Sequence, residues 1–250
     1  VPLIEKNIIS SVKNNIIGSY NVAKLSIKYA VSNLLLVSTD KAVKPTNVMG
    51  ATKRISEKIF SSMADENTNI NTSIVRFGNV INSNGSVVPL FNSQIKKKGP
   101  ITVTHPDVTR YLMTIPDAVK LILETIIISK KNKSGLIYLL DMGKPIKILD
   151  LAKKMINLYG LKVGTNSNLG EIEIKFIGLR PGEKLHEELY LSNEIKKTEN
   201  EKIYLVDETR EKFSEIDKRI AELNKYLDQF ETESVINFLK VNVEGYKRNS

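Results

Sequence analysis

The run LLLVS (34–38) limits the fold of this chain more narrowly than any other stretch. It is short, continuously apolar and bounded by polar residues, which fits a strand buried on both faces, as in a parallel sheet. A helical pattern precedes it, in which Val12, Ile16, Ile17, Val22, Leu25 and Ile27 approximate helical spacing over 12–30. A second helix follows over Gly50–Met63, and then a further strand, NTSIVRFGNV (71–80). Strands alternating with helices in this way imply a doubly wound α/β sheet.

After Asn79 the pattern becomes finer. INSNGSV (81–87) reads as a loop and VVPLFNSQIKK as a short helix. ITVTHPDVTRYLMTI (101–115) reads as two short strands around a Pro-Asp turn. Residues 116–129 form a helix with Pro116 and Asp117 suited to its first turn. GLIYLLD (135–141) is another sheet strand, followed by a helix over 148–160, a strand over 171–177, the loop GLRPGEK (178–184) and a helix over 215–230.

Composition sets bounds on chemistry. Without cysteine, disulfides and thiolate metal sites are excluded, and two histidines, His105 and His186, make a His-rich metal cage improbable. The formal charge of +9 suits anionic ligands, but the lysines are spread rather than clustered. There is no RNA-binding aromatic signature or zinc-finger spacing, so no nucleic-acid partner is expected. No apolar run approaches the roughly 18 residues needed to cross a bilayer. None of the 13 glycines forms G-x-x-G-x-x-G or G-x-G-x-x-G, the turn that cradles a dinucleotide pyrophosphate. Together with a start at Val1-Pro2-Leu3, this leads to the expectation of a chain truncated at its N-terminus, entering its fold midway.

Four motifs in order, STDKAVKPTNVMGATKR (38–54), RFGNV, TRYLMTI and GLRPGEKLHEEL, carry a resemblance. Together they resemble the extended short-chain dehydrogenase/reductases that dehydrate UDP-N-acetylglucosamine, and more narrowly the CapD-like polysaccharide biosynthesis branch. The likeness covers nearly the whole chain. It implies the C-terminal part of a doubly wound Rossmann-type sheet with a smaller α/β substrate-binding lobe. Residues 1–140 are then the partial NAD(P)-binding domain. Residues 141–250 form mainly the substrate lobe and C-terminal helices, and 81–115 also contribute to the substrate site.

The resemblance further implies a redox-neutral 4,6-dehydration with NAD or NADP as cofactor and a UDP-sugar as substrate. Asp40 would protonate the departing 6-hydroxyl and Lys41 would take the C5 proton. Elimination needs that acid and base close together at a strand end. Thr39 or Ser38 would polarise the C4 oxygen, and Ser38 is also placed with the cofactor. Lys53 matches the superfamily lysine at the nicotinamide ribose, and Asn15 the asparagine that organises the helix beside the active site. Met49 stands where relatives carry the proton-handling tyrosine. It has no ionisable proton and cannot be the base, so apolar packing is its expected part.

On the substrate side, Arg110 and Arg180 match the diphosphate contacts, a task suited to bidentate guanidinium. Glu183 matches the carboxylate for the ribose hydroxyls, and Asn79 and Ser86 sit where the family approaches diphosphate and sugar. Arg76 is a weaker candidate with a structural alternative, and neither histidine is assigned a role. A homo-oligomer is expected, with a cytoplasmic catalytic region and a parent protein anchored in the bacterial inner membrane through an upstream segment. Two rivals stand beside the dehydratase: a UDP-sugar 4-epimerase, which needs no Asp-Lys pair, and a non-catalytic nucleotide-sugar-binding module.

Overall fold

A mixed sheet, parallel through its first three strands, organises the first of two units into which the chain divides, made of residues 1–77, 120–141 and 188–250. The structure, a computed structural model, describes residues 1–65, 69–83, 85–166, 169–188 and 195–248. Among these, the sheet runs in the order β1 (Asn33–Val37), β2 (Asn71–Arg76), β7 (Leu136–Leu140), β13 (Ile203–Val206) and β12 (Ile195–Lys197). The pairs β1–β2 and β2–β7 are parallel, in a register that aligns Leu36 with Ile74 and Ile74 with Ile137. β13 pairs antiparallel to β7, and β12 antiparallel to β13.

Burial follows position in that order. β7 is buried at every residue and β2 at all but its first, as central strands covered on both faces must be. β1 lies at one edge, where Val37 is half exposed. The opposite edge strand, β12, carries Lys196 and Lys197, and charge there discourages pairing with another chain.

On the sheet lies α4 (Val48–Ser62), which buries Val48, Ala51, Ile55, Ile59 and Phe60 in a core shared with Ile16, Ile74, Leu223 and Leu239. Asn47 begins it: its Oδ1 accepts the Gly50 N–H at 2.8 Å, satisfying one of the donors a helix start leaves open. A second is taken by Glu5 of α1 (Pro2–Lys6), whose carboxylate accepts the Val48 N–H at 2.5 Å. α2 (Ile8–Val12), a π-helical turn (Lys13–Ile17) and α3 (Gly18–Lys28) pack beside α4, as do α8 (Phe213–Asp228) and α9 (Thr232–Asn242). α6 (Ile115–Ser129) belongs to this unit from Lys120 onward and buries Leu121, Thr125 and Ile128.

The second unit comprises residues 78–119 and 142–187. It is built from short paired strands: β3 (Asn79–Val80) with β6 (Leu112–Met113), β4 (Ile101–Val103) with β11 (Ile174–Phe176), β5 (Thr109–Arg110) with β8 (Ile146–Lys147), and β9 (Lys162–Val163) with β10 (Glu171–Ile172). α5 (Val87–Lys96) and α7 (Ile148–Leu158) enclose its core, which includes Phe91, Ile95, Ile101, Val103, Ile156 and Ile172. α7 buries Ile148, Ala152, Met155 and Ile156, the stripe its periodicity dictates.

Three expectations need correction. The division at residue 140 does not hold for the C-terminal part: residues 188–250 group with the first unit. The reason is pairing and burial. β13 adds to β7, and α8 buries Phe213, Ile216, Ile220, Leu223 and Leu227 in the core around α4. Second, 71–80 is two strands, broken at Phe77-Gly78, and 101–115 holds three. Third, helical structure begins at Pro2 rather than at residue 12, and α9 was not foreseen. Leu189, the last residue of the GLRPGEKLHEEL motif, lies with 190–194 outside the described residues. No helix among the described residues is long and apolar enough to cross a membrane.

The shared core makes a prediction. Leu223→Ala in α8 should cost about 2–5 kcal/mol and speed amide hydrogen exchange at Leu36 and Ile74 in the sheet. A C-terminal region that folds as part of a separate lobe would leave those two amides unchanged.

Candidate functional site

At the carboxyl end of β1 the chain continues in register with β2. Ser38 N–H donates to the Val75 carbonyl at 2.7 Å, and Asp40 N–H to the Phe77 carbonyl at 3.1 Å. A 3₁₀ turn over Asp40–Ala42 then reverses the backbone, with Thr39 Oγ1 accepting the Lys41 N–H at 3.4 Å. This turn brings three side chains together. Asp40 Oδ1 accepts from the Thr39 hydroxyl at 2.8 Å and from Lys41 Nζ at 2.9 Å. Asp40 is fully buried and its Oδ2 has no hydrogen-bond partner. A buried carboxylate oxygen left unpaired is costly, and such atoms concentrate where a ligand or proton completes the set. The Lys41 side chain retains 15% of its exposure, so its ammonium is reachable.

The start of α4 is pressed against this turn. A methyl group on Gly50 would stand 2.1 Å from the Lys41 carbonyl oxygen, so only glycine allows the approach. Met49, beside it, is partly exposed rather than buried in the core. Lys53, one turn on, is half buried and donates from Nζ to the Val37 carbonyl at 2.8 Å. Burial lowers its pKa from the usual lysine value, against the opposing charge of Glu57. Asn15 reaches α4 from the π-helical turn: its Nδ2 donates to Thr52 Oγ1 at 2.9 Å, and its carbonyl accepts from Ser56 Oγ at 2.9 Å. Thr52 in turn donates to the Met49 carbonyl at 2.9 Å. Single π-helical turns occur often at functional sites.

Beneath these residues lies a buried ionic cluster that sequence reasoning missed. Arg76 is inaccessible to solvent and donates to Glu57 twice, from Nε at 2.7 Å and Nη2 at 2.6 Å, and to Glu208 from Nη1 at 3.0 Å. Arg54 adds a 3.0 Å bond to Glu57 and pairs with Glu208. Burial alone would raise the Glu57 pKa, but Arg76 foremost, with Arg54 and the Ser38 hydroxyl, holds it below the usual carboxylate range. Ser38 is buried and donates to Glu57 Oε1 at 2.6 Å. Its hydroxyl is committed to the interior, whereas that of Thr39 donates to Asp40 Oδ1 on the turn. Arg76 takes its structural alternative. The partners are 19 and 132 residues apart, so no local signal could have paired them.

The diphosphate-side candidates gather in the second unit. Asn79, Ser86, Arg110, Arg180 and Glu183 line one cavity of about 300 Å³, with Leu90, Phe91 and Val103 among its apolar walls. Ser86 stands at the N-terminus of α5 and its hydroxyl oxygen is buried without a partner. The two arginines differ. Arg110 is nearly buried and donates to Glu183 Oε1 at 2.7 Å and to the carbonyls of Thr109 and Leu185. Arg180 is exposed, and its guanidinium makes no hydrogen bond among the described residues. Glu183 is held further by Thr104 Oγ1 at 3.1 Å and by the Arg180 backbone N–H at 3.1 Å. Of the histidines, His186 meets the Thr109 hydroxyl and His105 accepts the Asp107 N–H.

Comparison with known proteins places this geometry in context. The family described as polysaccharide biosynthesis protein matches residues 1–208. The capsular polysaccharide biosynthesis protein CapD of Staphylococcus aureus is 50% identical over 205 residues, which cover 82% of this chain and 33% of that protein. A UDP-glucose 4-epimerase of Rickettsia canadensis (strain McKiel) is 36% identical over 202 residues, 80% of this chain and 55% of that protein. The chain therefore spans about a third and just over half of the lengths of these two curated relatives. The X-ray structure of Pen from Bacillus thuringiensis is similar with a TM-score of 0.73 at 33% identity, covering 84% of this chain and 64% of that one.

Two outcomes follow from the contacts. Gly50→Ala should cost about 1–3 kcal/mol by overpacking, read by urea unfolding, and should strip exchange protection from the Ala42 and Val43 amides first. Arg110→Ala should cost roughly 1–3 kcal/mol, because Glu183 is left without its ion-pair partner, whereas Arg180→Ala should leave the unfolding midpoint unchanged.

Proposed function

The chain belongs to the polysaccharide biosynthesis protein family, and on that premise we propose that it carries the acid–base and nucleotide-binding parts of a 4,6-dehydratase. The substrate is a UDP-N-acetylhexosamine, foremost UDP-N-acetylglucosamine, and the product a 4-keto-6-deoxy sugar. The observation that carries this reading is the 2.9 Å contact between Lys41 Nζ and Asp40 Oδ1, with Asp40 Oδ2 buried and unpartnered. Elimination of the 6-hydroxyl needs a protonated acid beside an unprotonated base. One proton relocated along that contact supplies both at once, with no change in net charge.

The steps then fall to named groups. Lys41 Nζ takes the C5 proton made acidic by a 4-ketone, and Asp40 gives its proton to the 6-hydroxyl, which departs as water. Lys41 returns its proton to C5 as the double bond is reduced, and the proton given up by the C4 hydroxyl on its oxidation restores the acid form of Asp40. Thr39 Oγ1 lies within reach of the same carboxylate and hydrogen-bonds the C4 oxygen. Met49 moves no proton; its partly exposed side chain supplies an apolar wall. A nicotinamide cofactor, NAD or NADP, supplies reversible hydride transfer with the sugar. The residues present fit its nicotinamide-ribose end: Lys53 stands half buried at the end of a parallel strand, beside the turn that bears the unpaired Asp40 oxygen.

The second unit supports a nucleoside diphosphate ligand. The uncommitted guanidinium of Arg180 and the unpaired Ser86 hydroxyl at the start of α5 suit phosphate oxygens. Glu183, steadied by Arg110 and Thr104, faces the same cavity and accepts ribose hydroxyls. The UDP-sugar in the name of the Rickettsia relative agrees with this class of ligand.

The full-length protein should be incubated with UDP-N-acetylglucosamine and NAD⁺ in deuterated water and followed by proton NMR. A new C6 methyl signal with loss of the C5 proton signal is the expected outcome. Lys41→Ala and Asp40→Asn should each slow it by about 10²–10⁴-fold while UDP affinity is retained. A galacto product without a methyl signal would assign the site to a 4-epimerase. Binding with no turnover would make it a non-catalytic module.

A further inference from the structure

Glu57 lies outside every group given a chemical part above, yet it is among the most heavily bonded side chains of the first unit. It follows Lys53 by four residues on α4, and so lies one turn along the same helix face. Its carboxylate is 1% exposed and accepts from Ser38 Oγ at 2.6 Å, from Arg76 at 2.7 and 2.6 Å, and from Arg54 at 3.0 Å.

The bonds from Ser38 and Arg76 each lead to the site in a single step. Ser38 separates Val37, whose carbonyl receives Lys53 Nζ, from Thr39, which opens the Asp40–Lys41 turn. Arg76 precedes Phe77, whose carbonyl receives the Asp40 amide. One carboxylate thus joins the helix turn of Lys53, the end of β1 and the end of β2. We propose that Glu57 is a positioning residue, which holds the Lys53 ammonium and the Thr39–Lys41 turn in working relation; this rests on the dehydratase reading above.

A role in stability alone accounts poorly for it. A buried ion pair is often no more stabilising than apolar side chains of the same volume, and the surroundings here are the apolar core of α4 and the sheet. The charge has an addressee. Burial disfavours a protonated Lys53, and Glu57 opposes that effect. The other charges of the cluster are Arg54, Arg76 and Glu208, with the Asp40–Lys41 pair on the adjoining turn.

Two variants test this. Glu57→Gln keeps the shape and removes the charge; Ser38→Ala removes one hydrogen bond and leaves the ion cluster, so it folds even where the first does not. In Glu57→Gln, the NMR titration midpoint of the Lys53 ε-carbon in this chain should fall, because the opposing charge of Glu57 is gone. In the full-length enzyme, kcat for UDP-N-acetylglucosamine should fall about tenfold or more in Glu57→Gln and about fivefold in Ser38→Ala. KM should stay within about twofold in both, because the diphosphate contacts lie elsewhere. An unmoved Lys53 midpoint, or a loss of kcat that only tracks the folded fraction, overturns the proposal. A wild-type enzyme that makes no 4-keto-6-deoxy product sinks the dehydratase reading instead, and the Lys53 titration still decides whether Glu57 governs that lysine.

Discussion

A pair of charges sealed from water, Glu57 and Arg76, fastens α4 to the ends of β1 and β2. Its geometry is that of a planar guanidinium fork on a carboxylate, the arrangement in which two parallel hydrogen bonds fix orientation as well as distance. The rest of the first unit is arranged around that fastening. Apolar burial brings α4 down onto the sheet without direction; the ionic cluster and the glycine contact at Lys41 decide where along the sheet it stops. With α4 so placed, Lys53 meets the Val37 carbonyl and the Asp40–Lys41 turn is trapped beneath the helix start.

The thioether at position 49 is intelligible in that setting. A tyrosine four residues before a lysine handles a proton because the lysine charge favours the phenolate. Here the lysine remains and the phenol is absent, but an acid and a base stand together one turn of backbone away. On the proposed reading proton transfer falls to Asp40 and Lys41, so a partly exposed methionine is compatible with it, and its flexible apolar chain fits irregular surfaces well.

In the second unit, the two arginines show how one residue type divides its labour. Arg110 spends its donors on Glu183 and on backbone carbonyls, so it builds the wall of the cavity and steadies the carboxylate there. Arg180 is exposed, and its guanidinium makes no hydrogen bond among the described residues. Both were read from the sequence as diphosphate contacts, since residue type and motif are alike. Only burial distinguishes them.

Much of the architecture was legible in the sequence because it depends on local periodicity and on contiguous motifs. LLLVS declared a parallel strand, the helix read over Gly50–Met63 is α4 with its start two residues earlier, and Thr39, Asp40 and Lys41 are neighbours in the chain, so their meeting needed only a turn. What stayed hidden depends on contacts between residues far apart. IYLV at 203–206 is too short to announce itself as a strand, and becomes one because β7 offers it an open edge. Glu57, Arg76 and Glu208 look like ordinary charges, and become a buried cluster because three separate elements converge on one point. The sequence by itself determined the elements and the adjacent acid–base residues, since short-range sterics and hydrophobic period act within a few residues. Only the tertiary structure decided which charges are desolvated, which hydroxyl faces inward and which arginine is free for a ligand, because those follow from what the fold excludes from water.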